Sequence, residues 1–151
     1  MYMHHHLLLI LHLISAAIWV GGHLCLAVGI LPGALKKKDY TLITQFEKRY
    51  EPIGMSSLVV LVVTGMWMAL QFGIGPGRWF SFSNPLERVV SVKIILLLAT
   101  VLFAISAQTR VIPHLATRPK KLYEMAFHII GVTTIGVAML ILGSFVRYGG
   151  I

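Results

Sequence analysis

Hydrophobic residues run along this chain in four long blocks, and the polar positions gather between them. Residues 7–31, 53–77, 94–109 and 125–146 contain no Asp, Glu, Lys or Arg, and a helix needs roughly 20 apolar residues to cross a bilayer core. The third block reaches that length only by taking in Lys93. No stretch alternates apolar and polar residues with the period of two that a membrane barrel requires. The pattern predicts an all-α integral membrane protein, a single domain over 1–151. Its spans fall at about 7–31, 53–73, 88–110 and 124–146, packed as a four-helix bundle that satisfies its backbone internally.

The connections carry their own signals. Between Pro32 and Pro52, Leu42, Phe46 and Tyr50 recur at spacing four. This reads either as an interfacial amphipathic helix or as the second span continued beyond a kink at Pro52. The segment from Gly73 to Asn84 is glycine-rich and holds Trp79, Phe80 and Phe82, as a loop in the aromatic belt of a membrane does. Asn84-Pro85-Leu86-Glu87 reads as an N-cap, a proline at the first helical position and a capping glutamate. Pro113 and Pro119 bracket the last connection. Gly29 and Gly33 have the small-xxx-small spacing of helix association, at a span's end beside Pro32, and a homodimer stays open.

Composition sharpens this. The chain is 57% hydrophobic and 12% charged, against about 25% charged in a soluble domain, which excludes a water-soluble globule. Its net charge of +8 would suggest nucleic acid on a soluble protein, but here the charge lies at helix ends. Lys36, Lys37, Lys38, Lys48 and Arg49 stand between the first two spans, and Arg110, Arg118, Lys120 and Lys121 between the last two. The positive-inside rule places these segments in the cytoplasm and both termini on the periplasmic side of a bacterial inner membrane. The expected partner is the lipid bilayer and not nucleic acid. The N-terminus lacks the basic region and small-residue cleavage site of a signal peptide, so the first span is expected to be retained. Cys25 is the single cysteine, which excludes an internal disulfide and reads as a packing residue.

Ionisable or ligand-forming side chains inside a span are costly and therefore candidates for function. They are His12, His23, Lys93 and His128. His12 and His23 are eleven residues apart, which at about 100° per residue returns them to within roughly 20° of one face, some 16 Å apart along the axis. On the antiparallel last helix His128 and Met139 have the same spacing. Two rungs are thereby expected: His23 with His128 in the inner half, and His12 with Met139 in the outer half.

A rung of this kind reads as axial ligation of b-type heme, one or two per chain, with Gly21, Gly22, Gly131 and Gly136 making room for the porphyrin. The plainer reading has the glycines serve close helix approach and each histidine bond a neighbouring helix. Copper is the alternative cofactor, since thioether and imidazole ligands suit it. Met1, Met3, His4, His5 and His6 cluster at the outer mouth, and His12, Met66 and Met139 continue inward. Lys93 either snorkels to the interface or pairs with an anionic group near His12. Arg110 and His114 stand in a similar place at the inner end.

The run Leu11-His12-Leu13-Ile14-Ser15-Ala16-Ala17-Ile18-Trp19-Val20-Gly21-Gly22 resembles the His…Trp-Val-Gly-Gly helix of CopD-type copper-resistance membrane proteins. Asn84-Pro85-Leu86…Val92-Lys93 resembles their later helix with its embedded lysine. That resemblance implies copper handling in the inner membrane with a periplasmic copper-binding partner, and carries over His12, Trp19, Gly21, Gly22 and Lys93. This chain has four helices where many relatives have about twice as many, and His23 and His128 lie outside the motif. Four-helix heme-linked membrane proteins of the protoporphyrinogen oxidase group are also similar. The sequence reading therefore puts first a b-type heme protein carrying electrons from a quinol or a periplasmic redox donor. Cu(I) transport through the same residues is its alternative. No residue resembles a nucleophile with its base, so an oxidoreductase label rests on resemblance alone.

Overall fold

The computed structural model describes residues 2–118 and 120–151, with side chains from His5 onward. Among the described residues five α-helices form: α1 (Tyr2–Leu24), α2 (Leu31–Lys37), α3 (Thr41–Gln71), α4 (Pro85–Ser106) and α5 (Lys121–Val146). They compose four apolar stretches long enough to cross a membrane, His5–Lys37, Thr41–Gln71, Pro85–His114 and Lys121–Val146.

Two of these stretches change helical pitch. A π-helical segment, Cys25–Ile30, joins α1 to α2, and another, Ala107–Val111, follows α4. Each comes just ahead of a proline, Pro32 and Pro113 respectively. A proline brings no N–H and its ring crowds the carbonyl four residues back, and a π turn shifts the register past that carbonyl without ending the helix. The second span extends through Pro52 as one continuous helix, the second of the two readings of that segment. Its early half is held because Ile43 is fully buried against the basic end of the bundle and Tyr50 is wedged against α1.

The helices are ordered by their contacts. His12 meets Thr64 between α1 and α3, Gly136 receives Trp19 and Val20 between α1 and α5, and Phe103 packs on Phe127 between α4 and α5. The larger apolar core lies at the basic end, around Leu26, Leu31, Ile43, Val111, Leu122 and Met125. A smaller core gathers Trp19, Val20 and Val132, and many other large apolar side chains, such as Leu13, Val63, Leu102 and Phe127, are exposed, as lipid-facing positions should be. His5 Nδ1 lies 2.6 Å from Gln71 Oε1, and the Ile151 amide donates to the Pro85 carbonyl. His5 and Ile151 thus reach the end opposite the basic connections.

The start of α4 follows the sequence signature closely. The Asn84 side chain accepts from the Glu87 amide at 2.9 Å, and Pro85 opens the helix. Glu87 does not return to the Asn84 amide as in a capping box. It accepts from the Ser83 amide and the Ser81 hydroxyl and pairs with Arg78 at 2.9 Å, fastening the connection between α3 and α4 to the helix. Asn84→Ala should lower stability by about 1 kcal/mol, read as a drop in the thermal midpoint of the detergent-solubilised protein.

Candidate functional site

Polar side chains enter the bundle on the face of α1 that looks toward α3 and α5. Within one helix His12, Trp19 and His23 are separated by seven and four residues, which keeps them within roughly 20–40° of one another. Ser15, Ala16, Trp19 and Val20 on this side are buried, and both histidines are half-buried.

His12 is fixed from α3. Its Nδ1 is 2.8 Å from Thr64 Oγ1, and that hydroxyl donates to the Val60 carbonyl at 2.6 Å. With its proton turned to Val60, Thr64 accepts from His12, which assigns the ring proton to Nδ1 and the lone pair to Nε2, and the Leu61 carbonyl also lies against the ring. Gly65 makes the approach close: a Cβ there would lie 3.2 Å from His12 Cε1.

His23 is fixed from its own helix. Its Nδ1 donates to the Trp19 carbonyl at 2.8 Å, which again assigns the lone pair to Nε2. The same carbonyl accepts from the Tyr50 hydroxyl at 2.8 Å, and the Tyr50 ring meets His23 edge-on at 5.7 Å between centroids. The Thr133 hydroxyl on α5, whose own-helix acceptor is the Ile129 carbonyl at 2.6 Å, also lies 3.2 Å from the His23 carbonyl.

His128 is held elsewhere. Its Nδ1 donates to the Glu124 carbonyl at 2.7 Å, while Nε2 accepts from the Ser106 hydroxyl at 3.0 Å. Phe103 packs edge-on against it. Thr133, which marks the α5 face meeting α1, is five residues further on and hence about 140° around the helix. The two histidines that sequence spacing set in one rung are therefore turned to different neighbours: His23 to α3 and its own turn, His128 to α4. Met139, expected opposite His12, is half-buried on α5, whereas His12 points at Thr64.

The glycines expected to leave a porphyrin slot are mostly filled. A Cβ on Gly22 would lie within the Tyr50 ring, one on Gly131 would come 3.0 Å from the Phe103 ring, and one on Gly136 would come 3.2 Å from Trp19. Gly21 alone has nothing near it, and it is exposed. The helices thus pack through these notches, and the residues present do not fit a heme between them. Among the described residues no three His, Cys, Asp or Glu side chains converge on a metal position.

Lys93 lies on α4 with its ammonium over α5. A Cβ on Gly143 would sit 3.1 Å from Nζ, and among the described residues no carboxylate pairs with it. Its field reaches His12. Of the other sequence candidates, His5 is tied to Gln71 and packs on Phe72, and His6, Met66, Cys25, Arg110 and His114 are exposed. Met1 and the side chains of Met3 and His4 lie outside the described residues. Sequence reasoning passed over Thr64 and Ser106, although a hydroxyl within a span is a signal of its own, and read Tyr50 only as part of an amphipathic pattern.

A protein-family model described as CopD, copper resistance protein D, matches residues 44–147. The matched stretch contains Tyr50, Thr64, Lys93, Ser106 and His128, and begins after the first span with its two histidines. No curated protein matches the chain. No solved structure matches it.

Proposed function

This chain belongs to the copper resistance protein D family, and we propose that it moves copper within the membrane, with His12 and His23 as successive ligands for Cu(I) on the inward face of α1. The carrying observation is the shared Nδ1 contact. At both residues Nδ1 lies 2.8 Å from a fixed oxygen, an arrangement that assigns the proton to Nδ1 and the lone pair to Nε2. A hydrogen bond on one ring nitrogen that orients the other is the usual support of a metal-ligating histidine. His128, with both nitrogens engaged, is not assigned to copper.

Cu(I) is the cargo here. Met139 on the outer half of α5 is proposed to add a thioether, which suits this ion, and Met1, Met3, His4, His5 and His6 to receive it at the outer end. By the positive-inside rule the basic end faces the cytoplasm of a bacterial inner membrane, so transfer runs between a periplasmic copper-binding partner and the inner face. Anaerobic titration of the detergent-purified protein with Cu(I), against a competing chromophoric chelator, tests the reading. Saturable binding is expected, and binding no stronger than by a detergent blank would end it.

Lys93 opposes cation occupancy at this level. Like charges in a partly buried site repel each other by on the order of 1–2 kcal/mol at an effective dielectric of 20. Lys93→Met should therefore tighten Cu(I) binding by about tenfold in the same titration, and weakened binding would show that the ammonium supports the site instead.

A further inference from the structure

At the basic end of the bundle a cavity of about 260 Å³ opens between the connection that follows α2 and the start of α5. Its walls are Lys38, Lys120, Tyr40 and Tyr123, and its floor includes Leu115 and Leu122. Both leucines are buried, and both lysines are exposed. Two lysines and two tyrosines line the cavity, and no carboxylate does.

The nearby acids are engaged elsewhere. Asp39 accepts from both the amide and the hydroxyl of Thr41, at 2.9 and 2.6 Å, and those bonds hold its carboxyl below the usual range. Glu124 pairs with Lys121 at 2.5 Å. Lys38 is held in the left-handed region, φ 54°, where it ends α2, so its backbone position is set by the turn. The first turn of α5 adds the positive end of a helix dipole.

The surface beyond the cavity is apolar. Tyr123, Phe127 and Ile130 follow one another at helical spacing on α5, each more than half exposed, and lead from the cavity into the hydrocarbon region. A polar anion-accepting head above an apolar track matches an amphiphile with a negative head. Free phosphate would use only the upper part.

We propose that this cavity binds the phosphate of an anionic phospholipid, with the ammonium groups of Lys38 and Lys120 on the phosphate, the Tyr40 and Tyr123 hydroxyls donating to its oxygens, and an acyl chain along Tyr123, Phe127 and Ile130. Basic pockets at helix ends recognise lipid head groups in this way.

The test is native mass spectrometry of the full chain in detergent, supplied with equal phosphatidylglycerol and phosphatidylcholine. Lys38→Asn, which suits the left-handed backbone, is combined with Lys120→Gln, and Lys48→Gln at the same end serves as control. Retention of phosphatidylglycerol over phosphatidylcholine by the wild type and the control is expected, with a loss of about fivefold per lysine in the double variant. Equal retention in wild type and double variant overturns the site. Thermal stabilisation by inorganic phosphate alone, equal to that by phosphatidylglycerol, overturns the lipid and leaves a free-anion site. If the double variant unfolds, Tyr123→Leu provides the second reading: it should weaken phosphatidylglycerol retention, and unchanged retention counts against the proposal.

Discussion

His12→Ala should lower the affinity for Cu(I) by roughly 100-fold or more, the largest effect expected of any single substitution in the bundle. Altering the hydrogen-bond partner of a metal-ligating residue typically costs 10–100-fold, and removing the ligand costs at least the upper part of that range. Thr64→Val separates ligand from support. It keeps the shape but deletes the acceptor that fixes Nδ1–H, so affinity should fall by about tenfold, with Nε2 still present but free to turn. His128→Ala should leave Cu(I) affinity within about twofold, because its Nε2 is already engaged by Ser106. An anaerobic chelator competition on all three variants checks the order. A fall for His128→Ala as deep as for His12→Ala would contradict the assignment.

The second large effect concerns packing. Gly22→Ala should destabilise the protein by about 1–3 kcal/mol, the usual cost of overpacking a filled site. The added methyl would enter the ring of Tyr50, which also leans over Gly54 of its own helix. Moving the ring would break its hydroxyl's bond to the Trp19 carbonyl and disturb the turn that holds His23. Tyr50→Ala removes the obstacle, so Gly22→Ala on that background should cost less than alone. A double-mutant cycle of thermal midpoints in detergent measures the difference. Full additivity would mean that ring and glycine do not meet. By contrast, Gly21→Ala should be nearly neutral, since its position is open.

The spans were legible because their signal is local: a charge-free length either suffices to cross a bilayer or does not. The Asn84 cap was legible for the same reason, residue types at fixed offsets from a helix start. What the α1 pattern also carried was the shared face of His12 and His23, a consequence of helical period within one element. Period does not say how one helix is rotated against another. The ring of His128 goes to Ser106 because Thr133, about 140° away, is the α5 residue that meets the His23 carbonyl, and that contact sets His23 level with Thr133, five residues along α5 from His128. The glycines were legible as small residues, but not what fills them. Tyr50, Phe103 and Trp19 come from other helices, and only the assembled bundle brings them to those notches. Charge counting marked the basic end without revealing that Lys38 and Lys120 flank one cavity, because the turn after α2 and the start of α5 are far apart in sequence.

Copper uptake into sealed proteoliposomes tests the account most directly. Protein reconstituted with Cu(I) outside should load copper into the lumen above the level of protein-free vesicles, and His12→Ala, reconstituted to the same density, should return uptake to that level. Equal uptake by wild type and His12→Ala, or none by folded wild type in either orientation, would contradict the central claim that this bundle passes Cu(I) along the histidine face of α1.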